Sequence, residues 1–392
     1  MKNSFYSPDK ISTFFSPNKI ILGIGAEKQT GKEAKALGGR KALIVTDPGV
    51  VKVGLIENVK KSLESEKIYT GIFDKVEAEP PARVVDKCAQ IAREEGYDII
   101  IGIGGGSSLD TAKGASIIAV NKGKTLDYAG MDLVTKKGLP KILLPTTGGT
   151  GSEVTRVFVV TDEAENTKKT VYSNFNLADV AIVDPLLTIS MPRNVTADTG
   201  IDALVHAIES FVSVNATPFS NILALEAIRL IADNLPVAYA KGSSIEARYN
   251  MILAANLAGL AIASGGVGAV HGLAYVLGTE YRLSHGRSNA IVLPYVMDYN
   301  KIGNLHKYAK IAKAMGEHIE GLSIHEAAGK SLEAVKKLLE AVNISIKLPD
   351  YGIPKEDLPK LVEGGMKLAR LFVPNPRDLT KEDVEKIYAG AF

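Results

Sequence analysis

The chain has 392 residues, 46% hydrophobic and 23% charged, enough for two domains with sizeable cores and too apolar for a disordered chain. Its net charge is +2, with Lys and Arg spread along the length, which leaves no electrostatic footprint for nucleic acid or an anionic membrane. The single cysteine, Cys88, excludes an intramolecular disulfide framework, and "MKNSFYSPDK" lacks the apolar run of a signal peptide, so a cytoplasmic protein is expected.

Up to about Asp184, short β-branched runs alternate with helical patterns. "KALIVTD" (41–47) and "YDIIIGIG" (97–104) read as buried strands, and "KILLPTT" (141–147), "RVFVVTD" (156–162) and "DVAIVD" (179–184) look similar. Between them lie helical patterns such as 81–95, "PARVVDKCAQIAREE", with a Pro start and apolar residues at helical spacing. The alternation predicts an α/β domain with a parallel sheet covered on both faces.

Asp47 closes the first of these strands. A carboxylate at a strand end accepts hydrogen bonds from a ribose and repels a 2′-phosphate. It equally serves as a turn residue before Pro48–Gly49, and it precedes the glycines where the usual dinucleotide fold places the acid after them. Those glycines lie in "GIGGGSSLDTAKGASIIA" (102–119), after a strand and at the opening of a helix. Gly104, Gly105 and Gly106 let the backbone approach a phosphate, and Ser107 with Asp110 forms an S-x-x-D capping pattern. Exposed amides and the helix dipole make such a point an anion site, although a tight structural turn reads the same way. "PTTGGTGSEVT" (145–155) follows another predicted strand and gathers hydroxyls and glycines suited to phosphate or ribose, or to a plain loop.

After "LLTISMPRN" (186–194) the strand signals nearly vanish, and helices are predicted over 195–214, 218–239, 244–263, 324–341 and 355–369. The expectation is an α/β domain over 1–188 and an all-helical domain over 189–392, with a ligand in the cleft between them.

The helical half carries a second set of unusual residues. In "TADTGIDALVHAIESFVS" (196–213), Asp202 and His206 are four apart and share one helix face. His271 and His285 lie in "GAVHGLAYVLGTEYRLSHG" (268–286), a stretch otherwise short of ionisable groups. Taken singly, each is explained as a core histidine with satisfied nitrogens. Together, three buried imidazoles and a carboxylate suit one divalent cation. A site with a position open for substrate favours Fe²⁺, Ni²⁺ or Co²⁺ over a closed tetrahedral zinc site, though zinc expands to five ligands. His306, His318 and His325 lie in polar, lysine-rich helices and are assigned to the solvated surface.

These motifs resemble the iron-containing, or group III, alcohol dehydrogenases of the dehydroquinate-synthase-like superfamily. The likeness covers nearly the whole chain and rests on "GGGSSLDTAK", "PTTGGTGSEVT", "DPLLTISMPRNVTADTGIDALVHAIES", "AVHGLAYVLGTEYRLSHG" and "PNPRDLT" (374–380). The resemblance implies a nucleotide domain followed by a metal-binding helical domain. Asp202, His206, His271 and His285 match the family's metal ligands, and Gly105, Gly106 and Ser107 its pyrophosphate turn, with Asp110 at the same helix start. Thr146, Thr147 and Thr155 match cofactor contacts, Lys168 matches a lysine that contacts the cofactor, and Asp47 matches the position associated with NAD over NADP. The chain departs from many relatives at Tyr275, where they carry a second histidine four residues after the ligand corresponding to His271. Tyr275 shares a helix face with His271, and a phenol donates a hydrogen bond but is no base at neutral pH, so proton handling there differs.

The implied activity is reversible hydride transfer between NAD(H) and a small alcohol or aldehyde, assisted by a metal, with Fe²⁺ first among Zn²⁺, Ni²⁺ and Co²⁺. The implied assembly is a homodimer or larger homo-oligomer, with no nucleic-acid or membrane partner. A hydroxyacid–oxoacid transhydrogenase, or another hydroxyacid dehydrogenase of the superfamily, is the rival reading. Arg282 and Arg287 near His285 leave room for a carboxylate, or are plain surface residues. A non-catalytic, metal-stabilised binding protein is the remaining alternative.

Overall fold

The computed structural model describes residue 9, residues 11–165 and residues 167–392. They fall into two compact units, Phe15–Met191 and Pro192–Phe392, and the described residues before Phe15 belong with the second. The α/β unit therefore starts at Phe15 rather than at residue 1. The segment before it is tied to helices instead: Ser264 Oγ donates to the Thr13 carbonyl at 3.2 Å, and the Phe14 and Phe219 rings lie 5.5 Å apart.

Among its described residues the α/β unit has nine strands: β1 (Lys19–Leu22), β2 (Lys41–Val45), β3 (Tyr69–Phe73), β4 (Ile99–Gly104), β5 (Gly130–Met131), β6 (Lys141–Pro145), β7 (Val157–Asp162), β8 (Thr167–Tyr172) and β9 (Val180–Val183). Six form one all-parallel sheet in the order β1-β9-β6-β4-β2-β3. Apart from Lys41 and Lys141, which open β2 and β6, the four inner strands are apolar, and they are almost wholly buried, as a sheet covered on both faces requires. Alternation across the pleat sorts their side chains. Leu43, Val45, Ile100 and Leu143 pack with helices Ala82–Glu94 and Gly106–Val120, while Ile44, Ile101, Ile142 and Leu144 pack with helices Thr30–Ala36 and Glu57–Ser65.

β1 and β3 were not expected from the sequence. They are the two edges of the sheet, short and half exposed, so neither a buried run nor a clean alternation marks them. "RVFVVTD" forms a strand but does not join the parallel sheet. As β7 it pairs antiparallel with β8, from Val157 opposite Tyr172 to Asp162 opposite Thr167, in a separate three-stranded sheet with β5. Its burial alternates with period two, the signature of a strand with one covered face.

Register decides where the loops go. Ala42 of β2 pairs with Ile99 of β4, and Gly104 at the end of β4 pairs with Pro145 at the end of β6. Asp47, the glycine turn and Thr146–Thr147 thus follow the carboxyl ends of three adjacent strands, the usual ligand edge of an open α/β sheet.

The second unit is helical: Arg193–Val212, Pro218–Ala240, Ile245–Gly265, Ala269–Tyr281, His285–Asn300, Leu305–Ala314, Ile324–Ala341, Leu358–Met366 and Lys381–Gly390. Capping boxes begin three of them, at Thr217, Ser323 and Thr380. The helix expected over 355–369 shortens to Leu358–Met366, because 3₁₀ turns flank it on both sides. Among the described residues no single helix is long and apolar enough to cross a membrane.

Candidate functional site

In the helical unit, Asp202 and His206 occupy successive turns of helix Arg193–Val212 and are 3% and 6% exposed. His271 lies in the first turn of helix Ala269–Tyr281. The apolar stretch 268–286 is two helices rather than one. Arg282 ends the first in the left-handed region at φ +56°, and Ser284 caps the second, its Oγ accepting from Arg287 N at 3.3 Å. The break puts His285 at the start of the second helix, pointing back toward the first.

The result is a convergence. Ligand atoms of Asp202, His271 and His285 lie within 4.8 Å of one another. Asp202 Oδ1 is 3.9 Å from His271 Nε2 and 3.6 Å from His285 Nε2. His206 joins through its ring, stacked on His271 with centroids 4.9 Å apart and 14° between planes. Burial works against an ionised Asp202, but His206, His285 and His271, with a hydrogen bond from Asn289, hold its carboxyl below the ordinary range.

Two carboxylates brace this set. Glu209 Oε2 lies 2.6 Å from His271 Nδ1, and Glu209 Oε1 accepts from Val270 N at 2.6 Å. A carboxylate on Nδ1 places the proton there and leaves the Nε2 lone pair facing Asp202, the arrangement that orients metal-binding histidines. Burial alone would lower the His271 pKa; Glu209 and Asp202 reverse that and raise it. Asp198, one turn before Asp202, accepts from Ser284 Oγ at 2.6 Å and Arg287 Nε at 2.8 Å. Gly286 is required for this approach, since a Cβ there would lie 2.1 Å from the Asp198 carbonyl oxygen. Tyr275 is half buried, and its ring stacks on His285 at 5.5 Å. Sequence reasoning missed Glu209 and the role of Asp198. Glu209 is three residues after His206, so its helical face was the one signal that pointed to it. His306, His318 and His325 are exposed.

In the α/β unit the glycine turn leads into a 15-residue helix, Gly106–Val120, whose first amides are the anion-binding kind. Gly104 has φ +151°, and a Cβ there would lie 2.5 Å from Ser108 Oγ. The helix begins after Gly105 with no side-chain cap, so the Ser107–Asp110 capping pattern does not form. Ser107 Oγ accepts from Glu79 N at 3.2 Å instead. Asp110 accepts from Ser152 Oγ at 2.6 Å and from Val159 N at 2.9 Å.

A lysine the sequence reading passed over explains why. Lys113 is fully buried and donates to Ser152 Oγ at 2.8 Å, Thr155 Oγ1 at 3.1 Å and the Val157 carbonyl at 2.8 Å. Burial pushes its amine down to about 8, against the pull of Asp110 and Glu153. Asp110 and Thr155 therefore fasten the glycine helix to the second loop. Thr146 is buried, its N–H donating to the Gly104 carbonyl at 2.9 Å, and the Thr147 methyl lies against Gly105. Lys168 pairs with Glu79 at 2.6 Å, and Lys169 with Glu165. Asp47 Oδ1 accepts from Gly49 N at 2.9 Å and Val50 N at 3.1 Å, and its Oδ2 accepts from Ser108 Oγ at 3.0 Å. Its carboxylate is thus both a helix cap and a neighbour of the glycine turn.

The comparisons with known proteins match this division. Residues 17–185 match the family described as iron-containing alcohol dehydrogenase, and residues 196–392 match the C-terminal part of the Fe-containing alcohol dehydrogenase family. The chain is 44% identical to long-chain-alcohol dehydrogenase 1 of Geobacillus thermodenitrificans over 95% of this chain and 94% of that protein. It is 37% identical to the NAD-dependent methanol dehydrogenase of Bacillus methanolicus, covering 97% of this chain and all of that protein. Among solved structures, that of a 1,3-propanediol oxidoreductase superposes with a TM-score of 0.95 at 39% identity, over 98% of this chain and 100% of that one.

Proposed function

Since the chain belongs to the iron-containing alcohol dehydrogenase family and is an oxidoreductase of that type, we propose that it takes NAD(H) on the α/β unit and Fe²⁺ on Asp202, His206, His271 and His285. The observation that carries the metal half is the convergence of Asp202 Oδ1, His271 Nε2 and His285 Nε2, with the far nitrogen of His271 held by Glu209. Nitrogen and carboxylate donors in this mixture suit Fe²⁺, and also accept Zn²⁺, Co²⁺ or Ni²⁺. When bound, the cation supplies Lewis acidity at an alcohol or carbonyl oxygen and NAD supplies the hydride acceptor.

The chain's own residues do the rest. Glu209 holds the proton on His271 Nδ1 and keeps Nε2 a lone-pair donor. Asp198 fixes the start of helix His285–Asn300 and so the direction of His285. Tyr275 covers the His285 ring and brings a phenol, a hydrogen-bond donor, beside it. On the α/β unit, Gly105, Gly106 and Ser107 present amides to the pyrophosphate, Thr147 flanks them, and the Lys113 network holds that turn in shape. Lys168 stands ready at the strand opposite Thr161, paired with Glu79.

A small alcohol, diol or aldehyde is the proposed substrate. Arg287 is engaged by Asp198 and packs over Tyr351, so it is committed internally rather than offered to a carboxylate, and Arg282 is exposed. A cytoplasmic homodimer or larger homo-oligomer is the proposed setting. The test is a panel of alcohols, diols and 2-hydroxyacids with anaerobically iron-loaded protein, followed at the NADH absorbance. Turnover of alcohols is expected; NADH from hydroxyacids alone would overturn the substrate assignment, and none from any would overturn the catalytic one.

Asp47 carries the choice between cofactors in this reading. Asp47→Asn keeps an oxygen for the Gly49 and Val50 amides and an amide group for Ser108, but removes the charge a 2′-phosphate would meet. The NADP/NAD ratio of kcat/KM is expected to rise at least about tenfold, roughly 1.4 kcal/mol, below the contact repulsion of two like charges at a protein surface. An unchanged ratio would remove Asp47 from the specificity assignment.

A further inference from the structure

Glu79 sits beside the glycine turn in a strained conformation. Its φ of +50° lies in the left-handed region, which a residue with a side chain enters at a cost and keeps only where its surroundings fix it. Here they do. Glu79 N donates to Ser107 Oγ at 3.2 Å, the Glu79 carbonyl accepts from Thr161 Oγ1 at 2.8 Å, and the Pro80 carbonyl accepts from Thr161 N at 2.9 Å. The first bond fastens Glu79 to the turn assigned to the pyrophosphate. The other two fasten it to β7, at Thr161, directly opposite Lys168 on β8.

This bracing lays a carboxylate on that lysine, with Glu79 Oε1 2.6 Å from Lys168 Nζ. Glu77, the neighbouring acid in the same loop, is taken by Arg83 instead. A carboxylate beside a phosphate site opposes the ligand twice: it repels the phosphate, and it occupies the ammonium that would attract it. The two side chains differ in how readily they can part. That of Glu79 is 44% exposed and turns into water at little cost, while that of Lys168 is 15% exposed and needs a counter-charge with or without a nucleotide.

We propose that Glu79 is an internal competitor for Lys168. Its carboxylate neutralises the lysine in the empty site, yields it to the diphosphate of the dinucleotide, and so holds the affinity for NAD(H) down. The proposal rests on the reading of Lys168 and Gly105–Ser107 as cofactor contacts. A cofactor that leaves in every turnover gains nothing from tighter binding once its release limits the rate, which gives such a competitor a use.

The experiment titrates NAD, as the probe, into anaerobically iron-loaded wild type, E79Q, K168M and the double variant, by calorimetry at low and high salt. Glutamine keeps the length of the side chain and removes its charge. E79Q is expected to bind NAD about three- to fivefold more tightly at low salt, the scale of a part-exposed ion pair, with the gain fading at high salt. K168M is expected to bind more weakly, and E79Q to add no gain in the K168M background. Unchanged or weaker binding by E79Q overturns the proposal. A full gain in the K168M background overturns it as well, because Glu79 would then act as a repulsive charge without the lysine. Wild-type affinity in K168M would overturn the reading of Lys168 as a cofactor contact, and no NAD binding by the wild type would overturn the nucleotide site itself.

Discussion

His271→Ala is expected to abolish metal retention and turnover while leaving NAD affinity within about twofold. His271 is the hub of the site: it stacks on His206, faces Asp202 and Asn289 with Nε2, and is held by Glu209 on Nδ1. Loss of a ligand should exceed the roughly 10–100-fold that loss of a supporting group costs in metal affinity. With the Lewis acid gone, several kcal/mol of charge stabilisation go too, and kcat/KM should fall by on the order of a thousandfold or more. Metal content after dialysis, steady-state kinetics and NAD binding by calorimetry check the three parts. Normal metal content or normal turnover would remove His271 from the ligand set.

Glu209→Gln is expected to have the next largest effect, although it changes neither size nor shape. Both oxygens of Glu209 accept, one from Val270 N and one from His271 Nδ1, and the residue is 5% exposed. A glutamine has a single acceptor oxygen, so one of those two N–H groups must face an NH₂ group. Either Val270 N–H is left unpaired, at about 1–3 kcal/mol of stability, or the His271 proton shifts to Nε2 and blocks the ligand position. Metal affinity should fall about 10–100-fold, with a lower melting temperature for the metal-loaded protein. Wild-type affinity in Glu209→Gln would show that Glu209 does not set the His271 tautomer.

The proposed ligands stood out in the sequence because each is costly where it stands. Asp202, His206 and His271 are ionisable groups among Ala, Gly, Leu and Val, and a buried charge without a partner is strongly unfavourable; His285 closes the apolar stretch that His271 opens. Their supports were not legible for the opposite reason. Glu209 and Asn289 lie at ordinary helical spacing from the ligands, and in sequence an acidic or amide residue there reads as a solvated face. Only the turn at 282–284 brings Asn289 beside His271, and no local pattern foretells that. The central strands were visible as apolar runs, while the edge strands β1 and β3, half in water, had too little pattern to be seen. The motif "LDTAK" stood out as a motif, yet its structural use was hidden. Lys113, with its amine bonded to Ser152, Thr155 and Val157, makes it a clamp between two loops, and those partners lie some forty residues further along the chain.

The division of the proposed metal ligands among three helices has a consequence for where an ion would come from. Asp202 and His206 meet His271 and His285 only after those helices have packed, and the packing surface is apolar, built from residues such as Ala203, Leu204, Leu273, Ala274 and Ile291. A metal ion at this site would therefore add to a fold that already has an apolar core of its own, unlike that of a zinc finger, and would contribute stability by mass action. A preformed cage of imidazole and carboxylate ranks divalent ions by intrinsic affinity, and that ranking places Fe²⁺ below Co²⁺, Ni²⁺ and Zn²⁺. Which ion such a site would carry then depends on the supply it meets after synthesis: the same polypeptide, raised on different trace-metal diets, should emerge as chemically different catalysts.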